Sequence, residues 1–304
     1  MRGSLPRLDT EMATEPNARP HRVPRSSGTL GERIRLADVA LLGSVPAALG
    51  LAYLLPSATR RALVFDYTSP ALSTAFASAF VHLDPTHLLV NVVLYVVLAA
   101  TSLVLDLASG HRRRFYTAFP TFILAFPAVL AYLNLAVPRS ATTLGFSGVA
   151  MAFAGYLPLA LADYLDVRFD IGPATQLAPA LFLSTLGLVS VLSVRAAFDL
   201  VGGRAALLAF AASLGALRYA LVVVERSDLR ARCRGLLGTP GAAELTAVAA
   251  VLVFAVPFVA FPASPGRGAG VLNLYVHLLG YALGFLVPFV TVTTRRFVAG
   301  RVAP

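Results

Sequence analysis

Residues 84–105 read DPTHLLVNVVLYVVLAATSLVL, and Asp84 at the edge is the only formally charged side chain among them. An α-helix rises about 1.5 Å per residue, so such a run crosses the roughly 30 Å hydrocarbon core of a bilayer. Seven more segments share this character, at about 37–55, 117–136, 147–163, 177–194, 205–224, 245–261 and 272–293. Breakers stand between them at Pro56, Pro138, Gly172-Pro173, Gly202-Gly203, Pro240-Gly241 and Pro265-Gly266. The fifth segment is the least regular, because Pro173 and Pro179 flank or enter it. The pattern predicts an all-α fold, a polytopic membrane helix bundle with about eight transmembrane helices.

Composition points the same way. Hydrophobic residues make up 57% of the 304 and charged residues 13%, against about a quarter charged in soluble domains. The net charge of +10 comes from 25 basic residues, all of them Arg. These sit in short clusters between apolar runs, where they orient helices rather than form a nucleic-acid face. The bilayer, not nucleic acid, is the expected partner. The single Cys233 excludes an internal disulfide and a Cys-based metal site. Residues 1–35 hold seven Arg, four Pro and no apolar run, which predicts a disordered basic cytoplasmic tail without a cleavable signal. A membrane domain over 36–296 and a cytoplasmic C-terminal tail over 297–304 complete the expected organisation.

Arginine placement predicts the orientation. With eight crossings and the N-terminus inside, eighteen Arg fall in inner segments and six in outer loops, with Arg218 inside a span. This satisfies the positive-inside rule and predicts a multi-pass protein of the cell membrane, N-in and C-in. Spans two, four and eight then all run from outside to inside.

Three polar patterns open those three spans. His82, His87 and Asn91 lie at the second, Gly145-Phe146-Ser147-Gly148 at the fourth, and His277 with Gly280 and Gly284 at the eighth. Taken singly, each has an ordinary explanation. Gly-x-Ser-Gly serves as a helix cap with small residues for packing, and an interfacial histidine is usually solvated. His277 is harder to dismiss, since ionisable groups inside a span are expensive and mark function. All three patterns also fall at the same membrane face and at similar depth. Ser147 begins its helix and His277 lies about five residues into its own.

These residue types suit acyl transfer. A serine hydroxyl becomes a competent nucleophile when a neutral imidazole takes its proton, which assigns Ser147 as nucleophile and His277 as base. The oxyanion needs donors. The Ser147 backbone N–H at a helix N-terminus is one candidate, and His87 and Asn91, four apart on one helical face, are others. Within the spans no Asp or Glu stands ready to complete a triad, so a dyad is the economical assignment. Gly280 and Gly284 on one helix, with Gly148, Ala152 and Gly155 on the other, form small-residue faces that permit close approach.

His-x4-His-x3-Asn, Gly-x-Ser-Gly and His-x2-Gly-x3-Gly, in this order and sidedness, resemble the rhomboid family of intramembrane serine proteases. The resemblance spans roughly residues 37–293. It implies a rhomboid-like core with a Ser147/His277 dyad that cleaves single-span or other transmembrane protein substrates near the extracytoplasmic surface. It also implies no metal or organic cofactor, oxyanion roles for His87 and Asn91, and supporting roles for His82, Gly145, Gly148, Gly280 and Gly284. The loop at about 56–81, with Phe65, Tyr67, Phe76 and Phe80, corresponds to the family's first loop and is expected partly in the interface. Three features depart from the family pattern. Three spans instead of one separate the serine and histidine helices; Met151 replaces a tyrosine one turn after the serine; and the first-loop Trp-Arg pair is absent. Two competing functions are an inert rhomboid-like binder of membrane clients and a multispan transporter. The scarcity of charge within the spans, Arg218 aside, weighs against the latter.

Overall fold

The computed structural model describes residues 30–196, 202–226, 228–262 and 273–302. Among them are eight helices long and apolar enough to cross a membrane: α1 (Leu36–Tyr53), α2 (Pro85–Ser109), α3 (Arg112–Ala136), α4 (Ser147–Phe169), α5 (Ala174–Ala196), α6 (Gly202–Arg226), α7 (Ala242–Ala260) and α8 (Leu274–Val302). The protein is an all-α polytopic bundle. The basic segment before residue 30 and the Pro265-Gly266 connection lie outside the described residues.

Local chemistry sets the boundaries. Asp84 caps α2 by accepting the His87 backbone N–H at 2.7 Å, with Pro85 in the first turn. The helix stops where Gly110 turns left-handed at φ 81°. Several helices outrun their apolar segments because nothing breaks them sooner. α2 continues to Ser109, α4 to Phe169, and α8 through the expected separate tail at 297–304 as far as Val302. Pro173 stands just before α5, and Pro179 is carried inside it. In α3 a widened turn at Thr121–Ala125 follows Pro120 and precedes Pro127. Pro127 has no N–H for the carbonyl four residues back, and the hydrogen-bond register slips there.

α4 is the axis of the bundle: 94% of its apolar window is buried, against 17–44% for the other seven. Tyr95 of α2 and Phe115, Phe119 and Phe122 of α3 all meet Phe153 of α4. α8 and α5 are joined by Phe182 stacked on Tyr281 and Phe285. α6 lies outermost, packed on α5 through small residues such as Gly187 beside Ser213. Its other face carries Leu207, Phe210, Leu214, Leu217 and Leu221, all exposed as a lipid-facing helix requires.

The segment joining α1 to α2 is folded. β1 (Phe65–Asp66) pairs antiparallel with β2 (Thr142–Thr143), which leads towards α4. Phe65, Ala75 and Ala131 form a small core beneath Tyr67 and Leu135. The four aromatics have different surroundings. Phe65, in the paired strand, is fully buried and Phe80 packs on Phe146; Phe76 and the neighbouring Leu72 stay exposed.

Candidate active site

Ser147 is the first residue of α4 and is half-buried. His277 is the fourth residue of α8, one turn in rather than the five residues expected, and is 3% exposed. The two helices run nearly in contact. A Cβ at Gly280 would overlap the Gly148 carbonyl oxygen and stand 3.2 Å from the Met151 Cβ. One turn further on, a Cβ at Gly284 would overlap the Ala152 carbonyl. The side chain of Val276 lies 3.2 Å from where a Cβ on Gly148 would stand. The glycines are thus required by backbone approach, and they place the residues after Ser147 against those flanking His277. Met151 is fully buried beside Gly280, while the ring that flanks His277 edge-on is Phe261, at 6.1 Å between centroids.

The hydrogen bonds of His277 define its tautomer. Nδ1 lies 2.9 Å from the backbone oxygen of Ala260, the last residue of α7. A carbonyl oxygen only accepts, so Nδ1 carries the proton and Nε2 presents a lone pair. Nε2 is buried and has no hydrogen-bond partner among the described residues, so the Ser147 hydroxyl is not bonded to it in this state. Such an unsatisfied buried acceptor costs about 1–3 kcal/mol.

The His82, His87 and Asn91 side chains gather on the other side of Ser147. Gly145 has φ +103°, and a Cβ there would stand 2.7 Å from His87 Cε1; glycine is needed on both counts. The His82 and His87 rings meet edge-to-face at 4.9 Å, and His87 is close enough to His277 for their charges to interact. The Asn91 amide nitrogen lies 3.0 Å from His82 Nε2 and donates to the His87 carbonyl at 3.0 Å. The Phe146 N–H also points at His82 Nε2, at 3.4 Å. His82 Nε2 is therefore an acceptor, and burial pushes its pKa down to about 4, with His87 adding to the shift. Both amide hydrogens of Asn91 are engaged, so an oxyanion role requires releasing one. The half-buried His87 ring makes no hydrogen bond among the described residues and is the freer donor.

Tyr67 ties the outer segments to this site. Its hydroxyl oxygen accepts from Asn134 at 2.5 Å, Arg139 at 3.1 Å and Asn273 at 3.0 Å. Asn273 also caps α8 by accepting the Val276 N–H at 3.2 Å. Among the described residues no three His, Cys, Asp or Glu side chains converge as metal ligands would.

A second polar constellation, at the far end of the same helices, escaped the sequence analysis. Asp106 of α2 and Asp163 of α4 are buried, and both pair with Arg114 of α3. Tyr156 donates to Asp106 and receives the Arg114 Nε–H at 2.9 Å. Arg296 of α8 reaches Asp163 at 3.2 Å. Close by in sequence, Asp38 is buried against Arg112 at 2.8 Å and Tyr116 at 2.8 Å. Charge within the spans is thus less scarce than expected: Asp38 and Asp163 lie at the ends of the apolar segments 37–55 and 147–163, and α2 runs past its own segment to include Asp106. The exposed Arg218 takes no part in these pairs. Sixteen residues separate Ser147 from Asp163, about 24 Å along the helix, so neither carboxylate serves His277.

Comparison of the chain with protein-family models, with curated proteins and with solved structures finds no match.

Proposed function

We propose that this multi-pass protein is a rhomboid-type intramembrane serine endopeptidase, with Ser147 as nucleophile and His277 as base. The observation that carries the proposal is the bare, buried Nε2 of His277. It is held in the accepting tautomer, on a helix locked by Gly280 against the turn that begins with Ser147. The mechanism requires Ser147 Oγ to come within hydrogen-bond reach of Nε2, and catalytic hydrogen bonds commonly tighten only when substrate binds. The Ser147 N–H and the His87 ring supply oxyanion donors, and Asn91 joins them by exchanging one of its present partners. The bias of eighteen arginines against six supports an orientation with both termini inside and the site at the extracytoplasmic face of the cell membrane. Substrates are single-span or other transmembrane proteins, cut near that surface.

One observation favours a second reading, an inert binder of membrane proteins: Nε2 is not bonded to Ser147, and Asn91 is fully engaged. Purified protein in liposomes, with a panel of single-span substrates and a fluorophosphonate probe, separates the two. Cleavage and labelling that vanish in Ser147→Ala support the protease. Labelling that persists in Ser147→Ala overturns the nucleophile, and no cleavage or labelling of the native protein selects the binder.

A further inference from the structure

We infer that the C-terminal carbonyl of α7, Ala260 O, is the positioning group for His277, in the place a carboxylate holds in a three-membered serine-protease system. The inference rests on the protease proposal and concerns how its base is held.

The last carbonyls of any helix lack a partner four residues on. At the end of α7, Phe261 leaves helical geometry with φ −129° and ψ 60°, and its N–H turns back to Pro257 O at 2.9 Å. Ala260, three residues on, ends the helix, and its carbonyl accepts the Nδ1–H of His277 at 2.9 Å. Water is kept from this bond, since Ala260 is 4% exposed, Phe261 2% and His277 3%. The Phe261 ring closes over the imidazole edge-on. The carboxylates buried within the spans are engaged with arginines at the opposite end of the bundle.

Two consequences follow for proton transfer. The bond fixes the proton on Nδ1 and leaves Nε2 as acceptor. When Nε2 takes the Ser147 Oγ proton, the oxygen forms its bond to the substrate carbonyl carbon and the ring becomes an imidazolium. Its Nδ1–H then points into the negative end of a 19-residue helix, which favours that charge. The proton on Nε2 passes to the amide nitrogen as the C–N bond breaks, and the ring returns to its starting tautomer. Water then hydrolyses the acyl-enzyme by the same path. A carboxylate is unnecessary where a dry helix terminus supplies the same orientation and part of the same charge.

The test weakens one carbonyl in the full-length protein. Phe261→phenyllactate converts the 260–261 amide to an ester, a poorer acceptor at Ala260 O. Ala260→lactate moves the ester one bond earlier and serves as the control that leaves that carbonyl an amide. Imidazole 15N NMR of His277, recorded without substrate, should show Nδ1–H in the native protein and in the control. In the 261 ester it should show a growing Nε2–H population. For the 261 ester, kcat should fall roughly tenfold at unchanged KM, the scale of one charge-assisted hydrogen bond. A native protein carrying its proton on Nε2 overturns the inference, as does a 261 ester that matches the control in both tautomer and kcat. The native tautomer is read on unmodified protein, so an ester chain that fails to fold does not shield the inference. A protein with the expected tautomer that cuts nothing and takes no probe overturns the protease proposal, and this inference with it.

Discussion

Helices α2, α4 and α8 each carry a polar residue at both ends (Asn91 and Asp106, Ser147 and Asp163, His277 and Arg296), and the two ends treat those residues in opposite ways. At one end Asp106, Asp163, Arg114 and Arg296 form a set that is neutral in sum, with each carboxylate paired to a guanidinium. At the other end Asn91, Ser147 and His277 lie among partly unmet groups, including a buried imidazole nitrogen with no partner. Satisfied networks fix geometry, whereas a site of proton transfer must keep a lone pair available. The closed end sets the register of the three helices about 24 Å away from the open one. It thereby holds the open end in place without joining its chemistry.

The sharpest way to break this contrast is to exchange the expected effects. Ser147→Ala should lower cleavage by about 1,000-fold or more while moving the unfolding free energy by less than about 1 kcal/mol. Arg114→Met should do the reverse. It strands Asp106, leaves Asp163 with Arg296 as its one cation, and should cost about 3–5 kcal/mol in denaturant unfolding, with kcat per folded molecule unchanged. Loss of activity without loss of stability in Arg114→Met would move the catalytic centre to the wrong end.

The open end should also carry a pH signature of its own. The His82 pKa lies at about 4, below its ordinary 6.5, so between these values the unfolded chain binds the extra proton. Stability should therefore rise as pH climbs from about 4 to 6.5 and level off above, by on the order of 3 kcal/mol from this group. Thermal unfolding of native protein beside His82→Asn measures the term; parallel pH profiles would show that His82 is not held neutral. Gly280→Ala tests the helix contact that holds the open end. Overlap with the Gly148 carbonyl should separate α4 from α8 at about 1–3 kcal/mol. Activity should fall further than that loss explains, because the dyad geometry opens. Normal cleavage by Gly280→Ala would mean that the close approach does not position the site.

Much of the fold was legible because a bilayer imposes a simple rule on sequence. Each span needs an apolar run of set length, and eight runs predicted eight helices. Boundaries were less legible where polar residues continue a helix. Asp106 stands between Leu105 and Leu107, and Asp163 between Ala162 and Tyr164. Apolar flanks on both sides were the available signal that these carboxylates are buried. The candidate site was legible as residue types and a shared end of the bundle; the structure sets His82, His87 and Asn91 beside Gly145 and Phe146 and packs the turn after Ser147 against the residues flanking His277. Phe65 could not be assigned inward in the same way, since its environment depends on a strand partner, Thr143, 78 positions away.

By itself, the sequence determined that the chain spans a membrane, how often, and which polar residues share an end. Those properties follow from transfer free energies summed along short segments, which need no knowledge of neighbours. The tertiary structure decided which histidine nitrogen holds its proton, that Asn91 spends both amide hydrogens on neighbours, and that arginines neutralise the buried carboxylates. Each of these depends on distances of about 3 Å between atoms far apart in the chain. In the case of Ala260 the partner is a backbone carbonyl, a group present at every position and therefore invisible in any pattern of side chains.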